Sequence, residues 1–317
     1  MGDVRFSTRL EMGLPTYEEL RDHARLAERL GYEAVWARDH VSLEYVTGED
    51  TCLECWTILS ALARDTTSVM LGNLVLCVPF RNPALLAKMA STLQVVSHGR
   101  LILGLGAGHV RSEFDEYGYD FPSPGDRVRM LREATEIIRL MFTERRPSYE
   151  GRFYRIKNAL NEPKPTPVPP IMIGATKPRA MRVVARYADL WNSPDDFEGF
   201  YAGREELLRA CDEIGRDPAE IRMVARLSVI VDRDEAEARR RHERVCQARA
   251  GQPYLRHRII VGTPEQVAER AAPLVDSGVR DFITAFWETE RQAECLETFM
   301  SEVAPLIRQR AAAATGR

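Results

Sequence analysis

LGNLVLCVPFRNPALLAKMASTLQVVSHGRLILGLGAGH, residues 71–109, decides the fold. Residues 71–78 and 101–105 are apolar runs almost without a break. That is the pattern of strands covered on both faces of a parallel sheet. Between them Asn82 is placed to cap a helix whose first residue is Pro83. Leu85, Leu86, Met89, Leu93 and Val96 recur at helical spacing, and Gly99 sits where a helix ends in a left-handed residue. The unit is strand, helix, strand. Its second strand runs into Gly104, Gly106, Gly108 and His109. In a parallel sheet, a backbone opened by glycines at a strand's carboxyl end is where a ligand is expected.

The same alternation extends in both directions. Residues 4–10 form a first strand. Thr16 then caps a helix with Glu18 and Glu19 in its first turn, where the helix dipole favours them. A second strand, 34–37, ends in Arg38-Asp39-His40, and a polar loop leads to about Asp50 and a helix over 53–64. Beyond His109, RSEFDEYGYDFPSPGD reads as loop and 126–142 as a long amphipathic helix. SYEGRFYRI reads as a hairpin turning at Glu150-Gly151, and EPKPTPVPP as a proline-stiffened return. Strands then start near 171, 189, 223 and 281, with helices between them. One of these helices opens with Thr263 as cap and Pro264 at its first position. Eight strands alternating with helices in one domain, residues 1–310, give a (β/α)8 TIM barrel with loop insertions, and residues 311–317 form a frayed tail. A doubly wound dinucleotide fold would need GxGxxG opening directly into a helix. Here the spacing is GxGxG, followed by a proline-bearing loop.

Of 317 residues, 44 % are hydrophobic and 29 % charged, with a net charge of −3. This composition makes no electrostatic case for nucleic acid or an anionic membrane. The N-terminus lacks the apolar core of a signal peptide, and no apolar run reaches transmembrane length, so a cytoplasmic enzyme is expected. Cys52 and Cys55 are spaced CxxC without a second pair, and read as thiols on a helix rather than a zinc or redox site. Ile58, Leu59 and Leu62 on one helix, with Leu86, Met89 and Ala90 on another, exceed a single core stripe. A homodimer is expected across them.

Asp39-His40, VPFRNPALLAK, SHGRLILGLGAGH, YEGRFYRI, PPIMIGA and ADLWN, in this order over nearly the whole chain, resemble the luciferase-like monooxygenase superfamily. ALNEPKP followed by PPIMIGA resembles its branch dependent on coenzyme F420, a 5-deazaflavin. The resemblance implies a bacterial-luciferase-like barrel, with the cofactor at the carboxyl ends of the strands and usually a homodimer. It matches Asp39 and His40 to the Asp-His pair of the deazaflavin enzymes, in which the His lies by the reactive ring edge. It places a bulge with a non-proline cis peptide at Leu74 and Val75, under the ring. Ala107, Gly108 and His109 would run along the cofactor's side chain, and Gly174, Ala175 and Thr176 would receive its phosphate.

The residues themselves support part of this. Backbone N–H groups at a helix start over 175–177 make an anion site, or simply an ordinary turn. His40 at a strand end suits proton transfer near neutrality, unless Asp39 or a loop carbonyl merely satisfies it. His109 either takes direct part or lines the pocket. Glu113 and Asp115 read as cap or loop residues, Trp36 and Trp191 as core. The expected function is an F420-dependent oxidoreductase acting on a small-molecule substrate, with His40 and His109 as catalytic candidates and no metal. The alternatives are an FMNH2-dependent monooxygenase and a flavin-binding protein without turnover. Substrate choice is expected to lie in the loops at 41–51, 110–125 and 145–170.

Overall fold

Eight parallel strands close on themselves: β1 (Arg5–Arg9), β2 (Ala34–Ala37), β3 (Met70–Asn73), β4 (Leu101–Gly106), β5 (Ile171–Gly174), β6 (Leu190–Asn192), β7 (Arg222–Val231) and β8 (Asp281–Phe286). Closure is in the register: Thr8 pairs Val35, Val35 pairs Leu71, Leu71 pairs Leu101, Leu103 pairs Ile171, Leu190 pairs Met172 and Arg222, Val224 pairs Asp281, and Asp281 pairs Arg5. This is the expected TIM barrel and not an open doubly wound sheet. The computed structural model describes residues 3–13, 16–42, 51–249, 252 and 254–315. Most of the expected polar loop before Asp50 therefore lies outside the described residues. Among the described residues, no helix is long and apolar enough to cross a membrane.

Side chains alternate across each strand, which divides the core in two. Ala34, Trp36, Leu74, Ile102, Met172, Leu190, Val224 and Ile283 form a separate cluster that fills the barrel interior. The other face of the strands, such as Phe6, Val35, Leu71, Leu103 and Phe282, packs against the helices. The floor of the barrel is an ion cluster. Arg5 donates two bonds of 2.8 Å to Asp281, and Arg222 binds the same carboxylate from the other side. Three strands, including the first and the last, are thereby tied together.

The helix ends follow the sequence closely. Thr16 and Glu19 form a capping box on Tyr17–Arg29, and Thr263 with Gln266 forms another on Pro264–Asp276; each cap contributes about 1 kcal/mol. Asn82 accepts from the amides of Ala84 and Leu85, and Pro83 opens the helix Pro83–Val96. Three readings change here. The residue after the Ser97 cap is His98, at φ 56°, so Gly99 at φ 89° is one place further on. Leu85 is 58 % exposed, and Leu86, Ala87, Ala90, Leu93 and Gln94 are the buried face. Ile58, Leu59, Leu62, Leu86 and Ala90 are all core residues, so the surplus apolar face read as a dimer surface is spent inside the protomer.

Other differences are local. The apolar run at 71–78 is two strands, since β3 stops at Asn73 and Leu76–Cys77 pairs separately with Leu105 and Gly106. The Leu74–Val75 peptide between them is cis, as the resemblance implied. Ile259–Gly262, not anticipated, adds a parallel strand beside the upper half of β7. Arg111–Glu116 is a short helix where loop was expected. Cys52 lies before its helix, not on it, with its thiol on the His40 carbonyl at 3.2 Å. The hairpin pairs Tyr149–Glu150 with Arg155–Ile156, and buried Glu133 accepts the amides of Arg152, Phe153 and Tyr154. The final helix runs through Thr315, with Ala311 buried, beyond the boundary expected at residue 310.

One buried base gives a pH prediction. His23 packs under β1 with Nε2 3.4 Å from the Thr8 hydroxyl, and burial pushes it down to about 4. The fold holds it neutral. As pH falls below the ordinary value near 6.5, the unfolded chain takes up a proton that the folded chain refuses. The stability it allows is complete above about pH 6.5 and is lost toward pH 4, by about 3 kcal/mol. Urea denaturation at about pH 7 and 4.5 should show His23→Phe losing about 2 kcal/mol less than wild type. Equal losses would remove His23 as the cause.

Candidate active site

The cofactor and catalytic residues expected from the resemblance fall at the carboxyl ends of four consecutive strands, β2, β3, β4 and β5. What each one does there differs from residue to residue.

Asp39 does not touch His40 through its side chain. Its carboxylate is buried, accepts the Cys77 amide at 2.8 Å and takes a bidentate pair from Arg81 at 2.7 and 2.8 Å. It staples the end of β2 to the turn after β3. A bidentate, largely desolvated pair of this kind is a structural fastening, and removing one partner strands the other's charge.

The partner of His40 is Glu113. The imidazole Nδ1 lies 3.2 and 3.1 Å from the two carboxylate oxygens, and the amides of Val41 and Ser42 donate to one of them at 2.8 and 3.3 Å. Glu113 is 4 % exposed. Burial alone would raise its carboxyl pKa. The bond and charge of His40, with the two amides, outweigh that and hold it below the usual range. With Glu113 anionic, Nδ1–H is the donor in this pair, and Nε2 is the ring nitrogen left for a reacting group. The reading of Glu113 as a cap or loop residue is thus corrected. It sits inside the short helix Arg111–Glu116, which an aromatic cluster carries: Phe114 lies 4.9 Å from both Phe80 and Phe121, centroid to centroid.

His109 stands across the mouth, its ring 6.4 Å from that of His40 and edge-on to it. The walls of the mouth desolvate it, and His40, Arg127 and Arg226 add positive charge, so its pKa is lowered. A neutral imidazole at pH 7 follows. Arg127 donates to the Gly108 and Pro122 carbonyls at 3.1 and 2.5 Å and lies 4.0 Å above the Phe121 ring, fixing this loop.

The glycines have a different use from the one expected. A Cβ on Gly104 would lie 2.0 Å from the Asn73 carbonyl oxygen. One on Gly106 would meet the Val75 side chain at 2.6 Å, and one on Gly174 would meet it at 3.0 Å. Three glycines on two strands are the socket for the Asn73–Val75 bulge. Gly108, at φ 72°, abuts Cys77 and Phe114 in the same way. The strand end is occupied by protein, and it is the bulge that faces the mouth.

At β5, Trp191 Nε1 holds the Ala175 carbonyl at 3.0 Å and stacks on Phe200, so a core residue of β6 sets the 174–176 turn. The helix Pro178–Tyr187 starts there without a side-chain cap. Beside Gly174, Asn192 Oδ1 is buried with no hydrogen-bond partner among the described residues. Asn192 and Glu113 were both missed from the sequence. Asn192 left a signal, its place at the end of an inward-facing stripe of β6.

The sequence signature of luciferase-like monooxygenases matches residues 4–281. The chain belongs to the luciferase-like monooxygenase family. Within it, this family member is 30 % identical over 322 residues to an F420-dependent glucose-6-phosphate dehydrogenase of Microbacterium testaceum, covering 92 % of this chain and 94 % of the relative. It is 30 % identical over 258 residues to a 5,10-methylenetetrahydromethanopterin reductase of Archaeoglobus fulgidus, covering 80 % and 70 %. An F420-dependent secondary alcohol dehydrogenase in complex with an F420-acetone adduct superposes with a TM-score of 0.81 at 17 % identity, covering 96 % and 99 %, a likeness of fold.

Proposed function

We propose that this luciferase-like family member is an F420-dependent oxidoreductase that moves a hydride between the deazaflavin and a small organic substrate. The observation that carries the proposal is the His40–Glu113 pair at the barrel mouth, in a chain whose relatives over 92 % of its length use F420. The residues present fit the cofactor. The orphaned Asn192 Oδ1 beside Gly174 suits a ring edge that offers N–H groups. The uncapped helix start at Thr176–Lys177 suits the phosphate of its tail. Leu74 and Val75 would offer the ring an apolar platform, and Ala107, Gly108 and His109 would lie along the tail.

When bound, the deazaflavin supplies the hydride carrier, because carbon replaces the flavin N5. The chain supplies the rest. Glu113 fixes the orientation and tautomer of His40, and His40 Nε2 holds or accepts the substrate proton. His109, neutral, hydrogen-bonds the polar group that changes. The described mouth holds no acid other than Glu113 in contact with either histidine, so the proton is assigned to His40.

Titrating F420 and FMN into the purified protein tests the assignment. F420 should bind at least tenfold more tightly. FMN binding as tightly, with oxygen consumed in the presence of reduced FMN and a substrate, would replace it with the monooxygenase reading.

A further inference from the structure

From the end of β2, beside the bulge, round through β1 to β7, three arginines converge. Arg9 ends β1, Arg38 follows β2 and Arg226 lies midway along β7. By alternation Arg38 shares the inward face of Ala34 and Trp36, and Arg226 that of Val224. Phe6 of β1 packs outward on Phe282 and Phe299, which turns Arg9 inward. The side chains of Arg9 and Arg38 are only 10 % and 9 % exposed, and that of Arg226 is 30 % exposed.

These cations are under-neutralised. Glu11 serves two of them, accepting from Arg9 at 3.1 Å and from Arg38 at 2.7 Å. Arg226 reaches Asp195 only at 3.5 Å, while Arg258 donates to the same oxygen at 2.5 Å. The Nε–H groups of Arg9, Arg38 and Arg226 are all buried with no hydrogen-bond partner among the described residues, as is the Trp287 indole N–H. Arg9 lies 4.7 Å from the Trp287 ring centroid. Burial pushes Arg9 down to about 10, with Arg38 and Arg226 adding like-charge repulsion, and Arg226 is lowered by burial in the same way. Buried donors left without a partner on these cations cost free energy that the fold alone does not recover. A guanidinium fork matches the two oxygens of a carboxylate or phosphate. The cluster is within electrostatic reach of the histidines, since Arg226 is one of the charges that lower His109.

We propose that the substrate is an anion whose carboxylate or phosphate group is held by Arg9, Arg38 and Arg226. The inference rests on the hydride-transfer reading for what happens to the substrate, while the anion site itself does not depend on it. The substrate's reactive carbon then lies between this anchor and His40. A neutral alcohol of the same size would leave the orphaned donors unmet and bind more weakly.

The test is calorimetric, with inorganic phosphate and propionate as separate probes. Each is titrated into protein with F420, so that the tail's phosphate site is filled, and into Lys177→Met protein without F420. At least one probe should bind saturably. Arg226→Met should weaken that probe at least tenfold and Arg226→Lys less, while the affinity for F420 shifts less than twofold. Circular dichroism checks that both variants fold. Phosphate binding alone, or propionate binding alone, tells which anion the site takes. No binding by either probe, or binding that ignores Arg226→Met in a folded protein, overturns the anion site. If F420 fails to bind while the Arg226-dependent anion remains, the cofactor reading falls and the anion site stands.

Discussion

Replacing His40 by alanine lowers kcat by a hundredfold or more and changes the affinity for F420 by less than about threefold. The asymmetry follows from where the imidazole is held. Its Nδ1 is committed to Glu113 and its ring is edge-on to His109, so its free nitrogen is available to whatever reacts and not to the cofactor's tail. Glu113→Gln should cost about tenfold in kcat, since an amide fills the same volume but no longer balances a protonated imidazole. Steady-state rates and F420 fluorescence titrations on the same samples separate the two quantities. Equal losses in kcat and in F420 affinity would make His40 a binding residue and leave the proton unassigned.

The second large effect is expected at Gly104, which abuts the Asn73–Val75 bulge. A methyl group there points at the Asn73 carbonyl oxygen from 2.0 Å. The obstacle is backbone, so no rotamer change relieves it. Gly104→Ala should destabilise the protein by about 3 kcal/mol or more, at the upper end of overpacking, and weaken F420 binding in parallel as the bulge is displaced. Gly118→Ala is the control. Its φ of 71° carries a backbone cost, about 1 kcal/mol, but nothing lies within 4 Å of the new methyl group. Urea midpoints read both. A Gly104→Ala protein as stable as Gly118→Ala would mean that the bulge is free to shift.

The fold was legible because its signals are short-range. Thr16, Asn82 and Thr263 are caps that act within three residues, and the apolar strands announce themselves by composition. Ile259–Gly262 was lost because four apolar residues before a Thr-Pro helix start look like its lead-in. The candidate site was less legible, because its partnerships span the chain. Glu113 meets His40 across 73 positions, and Arg81 meets Asp39 across 42. Nothing local distinguishes Glu113 from Asp115 two residues on, yet one is buried against an imidazole and the other pairs with exposed Arg111. The glycines misled for the same reason. Their spacing says that something lies close, and only the register of β3 beside β4 shows that the neighbour is the protein's own bulge.

The ion cluster on the barrel floor bears on the order of folding. Asp281 is shared by Arg5 and Arg222, and the first strand finds its second neighbour only in the last. A nascent chain that has not yet produced residue 281 has two open parallel edges and two unneutralised arginines where the ring should join. The seam therefore forms last on the ribosome, at the longest sequence separation of any strand pair in the molecule. Until then the growing barrel is an exposed sheet that other chains can extend.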